Sequence, residues 1–397
     1  MNNKISIIIP SHNNLRHLKN VYTSIKKHAP EAELVLLDDG STDGTFSWIQ
    51  QQKGCIKYRV NERVGHTILY DKGIELATNP IVTILHADMI IGPNYIQNML
   101  KHLKPLTVVC GTRIEPPLHP AYKEKILKDF GLDFDSLDVD AFEEYCLEQQ
   151  KSLKDKTTKG MFAPWMIYKE DFQSIGGHDP LFAPFPNEDS DIFQRWILKG
   201  YQMIQSRDAF VYHLTCRGHR WTKEIGKDDD YFKKAANRAA RNYLRKWGTW
   251  IENDEYQHPI LHPRFDMGYV IHNCPYYLME LLEPLCDTIY TSDVLGINEA
   301  AYYEVEAKNT LFDLKKKFKL IGHDTYDNDI VVEFDANNFS NEAMNILSVL
   351  PMIINSNNDT GVFEFDIFKI TVNKLTDHLY DLVSIDNPWY QEKLKKY

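Results

Sequence analysis

Unbroken apolar runs alternate along the first hundred residues with stretches in which apolar residues recur every three or four positions. Ile5 to Ile9 is a β-branched run that stops at Pro10, the pattern of a buried parallel strand. Leu15, Leu18, Val21 and Ile25 then fall at helical spacing. Leu34 to Leu37 predicts a second strand, ending at Asp38-Asp39-Gly40, and a short helix follows through Phe46 and Ile49. Ile56 to Val60 predicts a third strand, Ile68 to Leu76 a third helix, and Ile81 to Leu85 a fourth strand that runs into His86-Ala87-Asp88. Tyr95 to Leu103 is helical in pattern, and Leu106 to Cys110 is strand-like.

Strand alternating with helix implies parallel strands covered by helices on both faces. In such sheets ligands bind beyond the carboxyl ends of the strands. The polar clusters Ser11-His12-Asn13, Asp38-Asp39 and His86-Ala87-Asp88 all stand at those ends. A binding site is therefore expected there on topology alone.

Further on, Asp133 to Glu148 is acidic with helical periodicity and reads as a solvated helix with a packed stripe of Phe142, Tyr145 and Cys146. Asp228 to Arg245 predicts another helix, and the polar stretch between Pro259 and Pro263 a boundary. From about Met267 the pattern changes. Strand-like runs Ile330 to Phe334 and Val362 to Ile370 flank a helix from Asn341 to Leu350, as in a separate α+β unit. The division predicted is 1–225 as an α/β domain, 226–266 as a helical connector and 267–397 as the α+β domain. A chain of 397 residues needs more than one core.

The formal charge of −11 disfavours nucleic acid as a partner, because phosphate neutralisation carries most of that affinity. The six cysteines show no CxxC pair, so neither a zinc knuckle nor a disulfide framework is expected. Met1 to Pro10 is too short for a signal peptide, and no run reaches the roughly 20 apolar residues of a membrane span. A cytoplasmic protein is expected, with peripheral membrane contact left open.

Candidate chemistry lies in the polar clusters. The turn Ser41-Thr42-Asp43-Gly44 is explained by helix capping, but two successive acids, Asp38 and Asp39, exceed what a turn requires. His86 and Asp88, two apart, would face one ligand in extended chain, and a carboxylate there suits a divalent ion bridging a diphosphate. Glu188, Asp189 and Asp191 precede an apolar helical stripe of Ile192, Phe193 and Trp196. Acids favour a first helical turn, and one of them facing a cleft can serve as a general base. His213 closes a short apolar segment shortly before Arg217, His219 and Arg220, a cationic loop able to meet phosphate. No GxGxxG follows Ile5 to Ile9, which argues against a dinucleotide dehydrogenase.

The order Ile5-Ser6-Ile7-Ile8-Ile9-Pro10-Ser11, Asp38-Asp39-Gly40-Ser41, His86-Ala87-Asp88, Ile175-Gly176-Gly177-His178-Asp179, Glu188-Asp189 and Val211-Tyr212-His213 resembles the inverting glycosyltransferases of GT-A fold, glycosyltransferase family 2. The resemblance spans roughly residues 4 to 220. It implies a GT-A α/β domain with a mostly parallel mixed sheet, followed by helices and a smaller α+β domain. It implies transfer of a sugar from a nucleotide diphosphate donor, a UDP-sugar, to a glycan or other hydroxyl acceptor with inversion. Pro10, Ser11, Asn13, Asp38 and Asp39 would meet the nucleoside, with Arg63 and His86 also on the donor side and Arg217 and Arg220 near the phosphates. Asp88 and His213 would hold Mn²⁺ or Mg²⁺. Asp189, with Glu188 beside it, would be the base, and Trp165 and Asp191 would lie toward the acceptor. His86 stands where the family usually has an acid; an imidazole there binds a metal without its negative charge and favours Mn²⁺. That departure also admits a catalytically inactive nucleotide-sugar-binding partner or scaffold. The C-terminal domain carries no such motif and is expected to serve assembly, as a homo-oligomer, or acceptor docking.

Overall fold

The structure, a computed structural model, describes residues 4–218, 220–292, 297–322 and 326–383; His219 lies outside them. The chain packs as two compact units, the first taking the described residues up to Ala236 together with Asn253–Ile260, the second Asn237–Glu252 and the described residues from Leu261 on.

The first unit is built on β1 (Ile5–Ser11), α1 (Leu15–His28), β2 (Glu33–Asp39), α2 (Thr45–Gln51), β3 (Cys55–Val60), α3 (His66–Leu76) and β4 (Ile81–Ile84). It continues through β5 (Met89–Ile91), α4 (Tyr95–Leu100), β6 (Thr107–Glu115), β7 (Lys125–Leu127), α5 (Val139–Leu153), β8 (Thr157–Thr158), β9 (Trp165–Tyr168), α6 (Lys169–Ser174), α7 (Glu188–Leu198) and β10 (Gln202–His213). The ten-stranded sheet has the order β3-β2-β1-β4-β9-β6-β10-β5, with β7 beside β6 and β8 beside β10. Strands β3, β2, β1 and β4 are parallel, β9 runs against both its neighbours, and β6 and β10 run parallel to each other. The carboxyl ends of β1, β2, β4, β6 and β10 therefore share one edge. Alternation along β1 divides the core: Ile5, Ile7 and Ile9 pack with Leu18, Val21 and Ile25 of α1, while Ile8 packs with Leu69 and Ile74 of α3.

Three local expectations change. β1 continues through Pro10 to Ser11, because its pairing with β4 ends at Ile8 and Ile84 and a missing N–H matters less where one ladder has stopped. β9 is a strand that the pattern hides, four residues starting directly after Pro164. His86-Ala87-Asp88 is a turn rather than extended chain.

The second unit contains the end of α8 (Asp230–Trp247), then β11 (Met267–His272), α9 (Tyr276–Leu282), β12 (Thr288–Thr291), α10 (Ile297–Glu306), β13 (Phe318–Leu320), β14 (Ile330–Asp335), α11 (Asn341–Asn357), β15 (Gly361–Phe365) and β16 (Phe368–Val372). Its sheet order is β13-β12-β11-β14-β16-β15, parallel through β14 and closed by an antiparallel hairpin. The run Val362 to Ile370 is thus two strands, folded at Asp366, whose φ of 54° an Asp adopts more readily than a β-branched residue. No helix among the described residues is long and apolar enough to cross a membrane.

Candidate active site

Topology brings the polar ends together. Tyr212 of β10 pairs with Ile114 of β6, so His213 and Glu115 emerge side by side, while His86 and Asp88 leave the end of β4 on the same edge. Donor atoms of His86, Asp88 and His213 lie within 4.8 Å of one another. His213 Nε2 stands 3.6 Å from Asp88 Oδ1, and its Nδ1 is bonded to Glu115 Oε1 at 2.7 Å. Glu115 thereby orients the imidazole toward Asp88. Burial alone would raise the Glu115 carboxyl, but Arg113, then His213 and Lys125, hold it well below the usual carboxylate range. The backbone N–H of Arg217 donates to Asp88 Oδ2 at 3.1 Å. Two imidazoles and a carboxylate, one imidazole fixed from behind, fit a divalent transition ion.

A cavity beside the cluster is lined by Pro10, Ser11, Asp39, Arg63, His66 and Tyr70, among others. Asp39 accepts from the N–H groups of Val64 and Gly65 at 2.7 and 3.0 Å, which fastens the loop after β3 to the end of β2. Arg63 lies 3.8 Å from Asp39 and over the rings of Phe185 and Tyr231. Asn13, at φ 47°, accepts from Thr42 N–H through Oδ1 and braces the loop rather than lining this cavity. Asp38 is fully buried beneath, 3.2 Å from Arg59, and burial pushes its carboxyl up.

A second, adjoining cavity shares His66 and His86 with the first and opens onto Glu188, Asp189, His213 and Arg220. Glu188 and Asp189 start α7. His66 Nε2 bonds Glu188 Oε1 at 2.6 Å. Burial opposes ionisation of Glu188, yet His66 brings it down to about 2. Burial and then the neighbouring Glu188 charge push Asp189 up to about 7. One carboxylate is thus kept as an anion and the next is poised to exchange a proton near neutrality, the separation of roles that acid–base chemistry needs.

The structure brings Pro10, Ser11, Asp39, Arg63, His86, Asp88, Glu188, Asp189, His213 and Arg220 to these two cavities. Others stand apart. Asp191 is fully buried and ion-paired with Arg195 at 2.7 Å, and Arg195 also holds the carbonyls of Ile175 and Gly177. Trp165 is fully buried against Phe172 and Trp196. The Arg217 guanidinium donates to the Leu132 carbonyl, and Arg220 pairs with Asp228 at 2.5 Å while keeping a face on the cavity.

His66, Tyr70, Phe185 and Glu115 are additions that sequence reasoning missed. The readable signal for His66 was Gly65 immediately before the periodic run of α3. Gly65 has φ 92°, and a Cβ there would lie 2.2 Å from Pro184. A side chain at that point would drive α3 and its leading histidine away from the segment entering α7.

A mostly parallel sheet with a carboxylate–imidazole cluster and a tuned acid pair at its carboxyl edge defines an α/β domain with a candidate ligand-binding edge. Residues 6–176 match the model of glycosyl transferase family 2. That segment is similar to the family, and the GT-A fold implied by the motif order agrees with the mixed sheet. It is 26% identical over 235 residues to validoxylamine A glucosyltransferase of Streptomyces hygroscopicus subsp. limoneus, covering 52% of this chain and 50% of that one. It is 31% identical over 109 residues to an uncharacterised glycosyltransferase of Mycoplasma genitalium, covering 25% and 37%. The chain spans about half the length, or less, of these curated relatives. Among solved structures, the mannosyltransferase PcManGT of Pyrobaculum calidifontis in complex with GDP-Man and Mn²⁺ superposes with a TM-score of 0.40 at 18% identity, covering 61% of this chain and 63% of that one. GalNAc-T7 with UDP, GalNAc and Mn²⁺ gives 0.44 at 18%, covering 64% and 49%.

Proposed function

We propose that this chain is an inverting glycosyltransferase that moves a sugar from a nucleoside diphosphate donor to an acceptor hydroxyl, with Asp189 as general base. The observation that carries the reading is that Asp189, pushed up to about 7, opens into the same cavity as His86 and His213 of the donor-atom cluster. The nucleoside would occupy the cavity of Ser11, Asp39 and Arg63, and the acceptor the adjoining one. Ionised Asp189 takes the proton of the acceptor hydroxyl. That oxygen bonds to the anomeric carbon from the face opposite the diphosphate. The carbon–oxygen bond to the diphosphate breaks, and its electron pair leaves with the nucleoside diphosphate. Arg220, on the cavity wall, faces the charge that develops there.

Asp88, His213 and His86 would hold Mn²⁺ or Mg²⁺, with Glu115 fixing His213 from behind. A divalent ion bound there supplies charge neutralisation for the departing diphosphate. We take the donor as a UDP-sugar, and the glucosyltransferase relative makes UDP-glucose the first to try. The second unit is assigned to assembly. Its edge strand β15 exposes Val362, Phe363 and Phe365, an apolar edge suited to pairing with a second copy.

A panel of nucleotide sugars, assayed with Mn²⁺ for release of nucleoside diphosphate, tests the reading. Release from one donor, lost in Asp189→Asn, is expected; donor binding with no turnover under any condition would move the protein to a binding role.

A further inference from the structure

Residues 253–260 lie outside the segment matched to the family, yet they pack with the first unit and form part of its second cavity. They are fastened from both sides. Lys123 N–H donates to the Glu255 carbonyl at 2.9 Å and Met161 N–H to that of Tyr256 at 3.2 Å. Lys123 pairs with Glu255 at 2.5 Å, and Lys159 pairs with Asp254. Asp254 also accepts from the N–H groups of Tyr256 and His258 at 2.8 and 3.1 Å, which sets the turn. The clip is thus held by groups other than the two side chains it presents to the cavity, Asn253 and Gln257.

Those two carry the inference. Gln257 has φ 58°, a left-handed conformation in which Gly is relaxed and Gln is strained. Nothing in the turn itself calls for glutamine there. Among the described residues neither the Asn253 nor the Gln257 side-chain amide makes a hydrogen bond within the protein. An amide offers both donors and an acceptor, the complement of hydroxyl groups, which also do both. Cations on the same cavity are neutralised internally: Arg113 by Glu115 and Glu124, Lys125 by Glu115, Arg220 by Asp228. Tyr122, 42% exposed, and Phe162 add ring surface. Free amides, ring faces and cations that are already paired suit a neutral ligand rich in hydroxyls.

We propose that Asn253 and Gln257 form the acceptor-selecting wall of the cavity, and that the acceptor is a neutral, polyhydroxylated sugar. This rests on the transferase reading above. Gln257→Gly separates function from structure, because it relieves the strained turn while removing the amide. The full chain is assayed with the donor found in the nucleotide-sugar panel and with methyl glycosides of the common hexoses as acceptors. Their binding is followed in parallel by saturation-transfer NMR without donor. In Gln257→Gly and Asn253→Ala the KM for the preferred glycoside should rise about tenfold, the scale of one lost hydrogen bond. The melting temperature should stay level or rise in Gln257→Gly, nucleoside diphosphate affinity should match wild type, and the glycoside NMR signal should weaken. Unchanged KM and unchanged NMR signals in both variants would overturn the clip's role and leave the transferase reading standing. So would donor hydrolysis without transfer to, or binding of, any neutral glycoside. Absence of donor binding by wild type would instead sink the transferase reading itself.

Discussion

At the scale of single residues, the acid pair at the start of α7 divides its labour through one histidine. His66 keeps Glu188 ionised, and burial with that adjacent charge raises Asp189. Asp189→Asn should therefore retain donor binding and lower transfer at least about a hundredfold, measured as kcat/KM. The pH profile follows from the direction of the shift. A base acts only when deprotonated, so its raised value moves the rising limb of kcat/KM from the usual carboxylate range up to about pH 7. A limb near pH 4, or none, would remove Asp189 from the role. Glu115→Ala should weaken Mn²⁺ binding about ten- to a hundredfold, because His213 loses the partner that orients it; titration of the ion in the presence of nucleoside diphosphate reads this. Much of this was legible. Asp88, Asp189 and His213 stood at ends of readable elements. Glu115 was not, because it closes a strand expected to stop at Cys110, and only the register with β10 sets it beside His213. Asp191 looked like a cleft residue because acids in a first helical turn look alike. One helical turn further on, Arg195 claims it for the interior.

At the scale of elements, the α/β alternation was readable because β1, β2 and β4 are buried on both faces and so show unbroken apolar runs. β9 and the β15–β16 hairpin were not. The first is four residues behind a proline, and the second turns at an Asp inside one continuous strand-like run. The second unit also hides a buried ionic network that no periodicity reveals. Glu283, fully buried, bonds Arg245 at 2.6 Å, Lys317 at 2.7 Å and the Tyr302 hydroxyl at 2.6 Å. Glu283→Gln would leave buried cations short of a partner and should lower unfolding free energy by about 3–5 kcal/mol, read from urea denaturation. Burial would raise this carboxyl, but Lys317 and then Arg245 hold it well below its ordinary value of 4.5. A depressed folded-state value gives stability that is present above the unfolded value and lost as pH falls below it. Wild type should accordingly lose its advantage over Glu283→Gln as the pH drops below about 4.5; a gap that is constant with pH would show that the carboxylate's charge contributes nothing.

At the scale of the molecule, strand ends that are far apart in sequence meet at one edge of the sheet. Residues of β1, β2, β4, β6 and β10 reach a common edge only because β9 runs antiparallel between β4 and β6 and leaves the others in one direction. If assembly lies with the second unit, sedimentation velocity should show association that increases with protein concentration and disappears in Val362→Lys with Phe365→Lys, since charge on an exposed edge opposes pairing. The central claim is that His86, Asp88 and His213 hold one divalent ion together with the donor diphosphate. Few protein ligands mean weak affinity for the free ion, with diphosphate oxygens completing its shell. Linkage then requires metal and nucleotide to tighten each other by the same factor. Calorimetry with UDP, with and without Mn²⁺, on wild type, Asp88→Ala and His213→Ala measures this directly. The account predicts that Mn²⁺ tightens UDP binding to wild type and that both variants lose the enhancement. Equal UDP affinity with and without Mn²⁺ in wild type would contradict it.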